Sequence, residues 1–195
     1  MARSKAFDEV EALEKAMHVF WKKGYHATSM EDLVTAMGIS RASLYDTYGD
    51  KKQLYMAALK LFQSQSQRQN SRAVAASGNS PKAQLMAVLQ TNLEETLADP
   101  DQRGCMMANA TAELAILDED VCQFAQGNIC AVEAFFEKLL RAGQEQGEFR
   151  PDFDPGVAAT FLLNYVHGMR IVSKTKPDAD KMRMGLALAV QGLSI

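Results

Sequence analysis

Residues Thr28 to Lys51 read TSMEDLVTAMGISRASLYDTYGDK, and their spacing predicts two short helices joined by a tight turn. A helix from about Met30 to Met37 would put Gly38 just past its end, where the backbone goes left-handed and only glycine does so freely. Ile39 would then fold back onto Val34. Ser40 follows as an N-cap, and a second helix runs from Arg41 to about Thr47. Too short to hold alone, it carries Leu44 inward and leaves Arg41, Ser43, Tyr45 and Thr47 free. Short helix, glycine turn and short helix with polar outward side chains is the arrangement that sets a helix into a DNA major groove.

Upstream, Val10, Leu13, Met17 and Phe20 recur at helical spacing from Asp8 to Lys23, with acids early and Lys22 and Lys23 late, as the helix dipole favours. Gly24 ends this helix, and Tyr25 can pack back on Phe20. Thr28 with Glu31 offers a capping box for the next helix, and Ser29 is an equal candidate for the cap. Downstream, Asp50 with Gln53 opens a fourth helix whose core face is Leu54, Ala58 and Leu61. It turns polar in SQSQRQNSR, runs to about Arg72, and breaks at Ser77-Gly78-Asn79-Ser80-Pro81, which reads as a domain hinge. Five longer helices follow, over Pro81 to about Leu97, Cys105 to Ile116, Asp118 to Gly147, Asp154 to Val172 and Ala179 to Leu193. The last two are apolar over more than one face, which calls for a partner chain. Phe161, Tyr165, Met169, Leu186, Ala189 and Val190 are the candidate seam.

Composition bounds the rest. An apolar content of 47% over 195 residues supports a real core, and the net charge of −3 does not point to nucleic acid. The charge is uneven, however: nine basic against eight acidic residues up to Lys60, twelve against sixteen beyond it. A mildly positive head on a negative body permits DNA binding without demanding it. MARSKAFDEVE at the N-terminus lacks an apolar signal core, and the most apolar run, Val157 to Val166, is far short of the roughly 20 residues of a membrane span. Three cysteines without a secretory signal point to a reducing, cytoplasmic setting.

The pattern Ala16, Phe20, Gly24, Thr28, Leu33, Met37-Gly38, Ser40, Leu44-Tyr45, Tyr48, Lys51 and Leu54 resembles the N-terminal signature of the TetR (tetracycline-repressor-type) regulators. The resemblance covers about the first quarter of the chain. It implies an all-α protein with a three-helix helix-turn-helix DNA-binding domain over residues 1–50 and a helical effector-binding and dimerisation domain over 51–195. It also implies a homodimer that binds a palindromic double-stranded DNA operator and releases it when a small-molecule effector binds. Carried over by position, Thr28 or Ser29 would sit by a phosphate at a helix N-terminus. Ser40, Arg41, Ala42, Ser43, Tyr45 and Thr47 would face bases or backbone, and Tyr48 and Lys51 would contact phosphate. Ala42 departs from the glycine or proline frequent in the family. Asp46 puts a negative charge on the recognition helix; it can accept from a cytosine amino group, or point away from DNA, the reading favoured by nearby phosphates.

In the second half, Gly104-Cys105-Met106-Met107 is the most suggestive stretch. A cysteine in the first turn of a helix sees the positive dipole end, and Arg103 adds charge; both favour the thiolate. Some TetR-like regulators of electrophile detoxification have a similar Gly-Cys pair, so Cys105 is a candidate electrophile or redox trigger, expected to alkylate ahead of Cys122 and Cys130. Lys174 can approach that thiol. The alternative reading is a small buried apolar residue. Asn109, Thr111 and Glu113 can line a ligand pocket with Met106, or merely cap and solvate their helix. Cys122 and Cys130 stand eight residues apart on one helix and cannot bridge. Soft-metal binding by Cys105 and its methionines is disfavoured, since adjacent helical residues diverge, so neither metal nor cofactor is expected. His18, His26 and His167 are scattered, and no catalytic constellation emerges. A cytosolic thiol-reactive or small-molecule carrier is the alternative to a regulator, and salt-dependent binding to duplex DNA separates the two.

Overall fold

Among the described residues every α-helix but the sixth, which opens on Cys105, begins where a side chain satisfies its orphan amides. The computed structural model describes residues 7–195; the first six, which open the N-terminal stretch lacking a signal core, lie outside the described residues. Helix α1 (Glu9–Lys23) starts on Asp8, whose Oδ1 accepts from the N–H groups of Val10 and Glu11, and stops at Gly24 with φ 80°. Helix α2 (Met30–Met37) is capped by Ser29, which trades hydrogen bonds with Asp32 at 3.0 and 2.9 Å. Thr28 therefore loses the role open to it. It is buried beneath the end of α1 and donates its hydroxyl proton to the Gly24 carbonyl at 2.6 Å. Gly38 adopts φ 69° and ψ 29°, its N–H returning to the Val34 carbonyl, and Ser40 caps α3 (Arg41–Tyr48).

Asp50 and Gln53 form the box that opens α4 (Lys51–Ala76). Its 26 residues span about 39 Å at the usual helical rise. Helices α5 (Pro81–Ala98), α6 (Met106–Leu114), α7 (Glu119–Glu145), α8 (Pro155–Val172) and α9 (Ala179–Gln191) complete the described residues, with a 3₁₀ turn at Ser173–Thr175 after α8. An isolated antiparallel bridge, Phe149 to Ser194, pins the C-terminus to the α7–α8 connection.

Two apolar cores divide the molecule. The first joins α1, α2 and Leu44 of α3 to Leu54, Tyr55, Ala58, Leu59 and Phe62 of α4, and continues into α6 and the start of α7. The second joins α5, the rest of α7, α8 and α9. Helix α4 belongs to both, since Ala73 and Val74 pack on the second. The head thus shares its core with the body across residue 50. Residues 77–80, expected as a domain hinge, form the turn between the packed helices α4 and α5.

Two sequence expectations shift within this frame. On α1 the inward stripe is Ala12, Ala16, Met17 and Phe20, while Val10 is left exposed in the first turn, beyond the reach of α4. On α8 and α9, Met169, Leu186 and Val190 are buried in their own chain, so they are not available to a partner. Ala189 is half-buried; of the expected seam, Phe161 is exposed and Tyr165 half-buried. Apolar spacing alone could not say which of two apolar faces turns inward.

Candidate functional site

The exposed face of α3, the candidate DNA-contact surface, is set by one buried residue. Leu44 is fully buried and pins α3 against the head. At about 100° per residue, Ala42 and Asp46 stand opposite it, and both are exposed. Arg41 and Tyr45 flank them on the exposed side, the guanidinium carbon 5.9 Å from the ring centre. Ser40 is exposed, Ser43 and Thr47 half-buried, and the Ser40 and Ser43 hydroxyls lie 2.9 Å apart. Asp46 thus shares the solvent-exposed side of α3 with Ala42.

The cations around this face are mostly engaged within the chain. Lys22 pairs with Asp101, Lys23 with Asp32, and Lys52 with both Asp118 and Asp120. A hydrogen bond from Lys23, with others from Ser29, holds the Asp32 carboxyl down at about 2. Lys51 lies 4.5 Å over the Tyr25 ring, a cation–π contact. Tyr48, expected at a phosphate, donates its hydroxyl to the Glu9 carbonyl of α1 at 2.7 Å and fixes α3 to α1. Arg41 is the cation on α3 itself, and Ser29 is exposed at the start of α2.

A cavity of about 370 Å³ lies between α4, α5, α6, α7 and α8, within the usual size of small-molecule sites. Its apolar wall includes Phe62, Met107, Val132, Phe135, Phe136 and Leu163; amides come from Gln63, Gln67, Asn70, Asn92 and Asn128, and hydroxyls from Ser66 and Ser71. Cys105, the N-cap residue of α6, reaches this wall but is itself buried. His167 also lines it, and burial followed by the charge of Arg170 pushes its pKa down.

The remaining candidates do not gather there. Met106 is buried in the core, and Met107 takes its place on the cavity wall. Asn109 and Lys174 bond to each other beside α1, with Asn109 also donating to the Arg103 carbonyl. Glu113 neither lines the cavity nor caps α6. Its carboxylate accepts the Tyr25 and His26 N–H groups at 2.9 and 2.8 Å, joining α6 to the α1–α2 turn. Nor does Arg103 attend Cys105: its guanidinium pairs with Asp99, bonds His18 and lies 4.1 Å over the Trp21 ring. Burial raises the Asp99 pKa, but the bonds from Arg103 outweigh it and leave the carboxyl below its usual range. The Trp21 indole N–H donates to the Gly104 carbonyl at 3.2 Å, so the α5–α6 loop grips α1 directly. Sequence reasoning passed over Trp21 and Arg170, whose partners lie far along the chain.

Comparison with known proteins agrees with this layout. Residues 12–58 match the model described as bacterial regulatory proteins, tetR family, and residues 81–187 match a tetracyclin repressor-like C-terminal domain. YezE of Bacillus subtilis, an uncharacterized HTH-type transcriptional regulator, is 31% identical over 94% of both chains. The transcriptional repressor ComR of Escherichia coli is 27% identical over 92% of this chain and 86% of its own. A cysteine-substituted form of the TetR-family regulator CifR, solved with a 26-bp operator duplex, superposes with a TM-score of 0.86 at 25% identity, covering 98% of this chain and 99% of that one. With its recognition helix, its shared α4 and both domain matches, the chain belongs to the tetR family of bacterial transcriptional regulators.

Proposed function

We propose that this protein is a cytoplasmic homodimeric repressor that binds a palindromic operator through α3 and is released when a small molecule fills the α4–α8 cavity. The observation that carries the reading is α3 itself, with Leu44 anchoring it and Arg41, Ala42, Tyr45 and Asp46 turned outward. ComR, described as a repressor, and CifR, solved on operator DNA, support the same role here. Residues 1–50 would act as the DNA head and 51–195 as the effector and dimer body, with α4 as the shared lever. The work is done by binding, not catalysis. Among the described residues no helix is long and apolar enough to cross a membrane.

The decisive measurement uses as operator a duplex selected by the protein from random sequence, with a scrambled duplex of the same composition beside it. Arg41→Ala should cost roughly 1–3 kcal/mol on that duplex and little on a scrambled one, as for a base-reading side chain. Lys51→Ala should weaken both alike and reduce the salt slope by about one. Anisotropy titrations at several salt concentrations read both quantities. Wild-type affinity for both duplexes in both variants would remove α3 from the interface.

A further inference from the structure

We propose that the cavity takes a small organic acid, its carboxylate on Arg170 and its apolar body against Phe62, Met107, Phe135 and Phe136. This rests on the effector reading of the same cavity and adds the chemical class of the ligand. Among the lining residues Arg170 is the one permanent charge, and none is Asp or Glu. Its Nη2 donates to the Asn92 side-chain oxygen, and its Nε is buried without a hydrogen-bond partner. Among the described residues no carboxylate forms an ion pair with it; Glu95, one turn along α5 from Asn92, lines an adjoining cavity together with Arg170 and feels its charge without reaching ion-pair distance.

A half-buried guanidinium without a direct ion-pair partner is under-compensated, and a planar carboxylate meets its fork with two parallel hydrogen bonds. Two further features narrow the class. A single cation suits a monoanion and leaves a phosphate dianion under-compensated. The rest of the wall is aromatic and aliphatic with neutral amides, which suits a hydrocarbon body rather than a sugar or a nucleotide. The position of Arg170 also gives the acid a route to the head. A Cβ placed on Gly104 would lie 2.7 Å from the Arg170 carbonyl, so α8 presses on the loop whose Gly104 carbonyl holds Trp21 of α1. A ligand that draws on Arg170 acts one residue contact from that bond.

The test uses the full-length protein and two matched probes, 4-phenylbutyrate and its neutral isostere 4-phenylbutyramide, titrated by calorimetry into wild type, Arg170→Met and Arg170→Lys. Wild type should prefer the acid by about tenfold or more, as a charge-assisted hydrogen bond allows. Arg170→Met should bring the two probes to equal affinity while still binding the amide, which shows the cavity intact; Arg170→Lys should keep part of the preference. Equal affinities in wild type, no binding of either probe, or an acid preference that survives Arg170→Met each overturn the proposal. Release of operator DNA, followed by anisotropy, separates it from the reading beneath it. If the amide releases DNA and the acid does not, the effector site stands and the acid falls. If the acid binds through Arg170 but leaves the operator complex intact, the acid site stands and the effector reading falls.

Discussion

Arg103 and Cys105 stand two positions apart, and the chemistry of the thiol turns on where the guanidinium points. It points at Asp99 and stacks on Trp21, so its charge is compensated before it can favour a thiolate. Of the three thiols Cys105 is buried, Cys122 half-buried and Cys130 exposed. Iodoacetamide on the native protein, followed by mass spectrometry, should therefore modify Cys130 first and Cys105 last, the reverse of the order expected from sequence. Early labelling of Cys105 would restore the covalent trigger. The residue pattern Gly-Cys-Met-Met was legible; the direction of a long side chain four residues from Asp99 was not, because sequence lists neighbours without saying which one a flexible group will choose. Asp46 makes the same point. Its outward place follows once Leu44 is known to be inward, since helical geometry then leaves no freedom.

At the scale of elements, α6 is a short strut between the two candidate sites. Cys105 and Met107 at its start line the cavity, while Glu113 in its last turn holds the Tyr25 and His26 amides of the head. Gly24 completes the joint: its φ of 80° suits glycine, and a Cβ there would lie 2.8 Å from the Glu113 carboxylate. Glu113→Ala should release both amides to water. Hydrogen exchange at Tyr25 and His26 should accelerate while the α5–α9 core keeps its protection, and stability should fall by roughly 1–3 kcal/mol, the usual worth of hydrogen bonds to a charged group. The variant should also hold operator DNA at effector concentrations that release wild type. Unchanged exchange at the two amides would mean the contact carries no load. The helices and their ends were readable because caps such as Ser40 and Asp50 act within three residues. The strut was not, because its partners are 87 and 88 residues away and no local pattern marks them.

For the whole molecule the open question is which surface a second copy covers. The exposed apolar side chains of α8 form one stripe, Val157, Phe161, Ile171 and Val172, and those of α9 add Met184 and Leu188. Tyr165 connects the two helices, its hydroxyl seated over Gly185, where a Cβ would come within 2.8 Å. These residues sit on the face opposite the second core, so neighbouring helices of the same chain leave them in water. A two-fold contact buries such a stripe against itself, at around 800 Å² per partner for an interface of standard size. Leu186 is the wrong place to test this, because it is 1% exposed and Leu186→Glu would unfold the second core before it separated two chains. Leu188, at 69% exposure, is the right one. A glutamate there is harmless to an isolated subunit, yet the two-fold axis places it in the dimer twice. At roughly 2 kcal/mol for each desolvated carboxylate, the two together weaken association by about a thousandfold. Sedimentation of Leu188→Glu should therefore give monomer at concentrations where wild type is dimeric, with an unchanged helical spectrum. Operator affinity should fall with it, since each half of a palindrome then has to be bound by a separate head. A dimer of wild-type strength in Leu188→Glu would move the interface off the α8–α9 face.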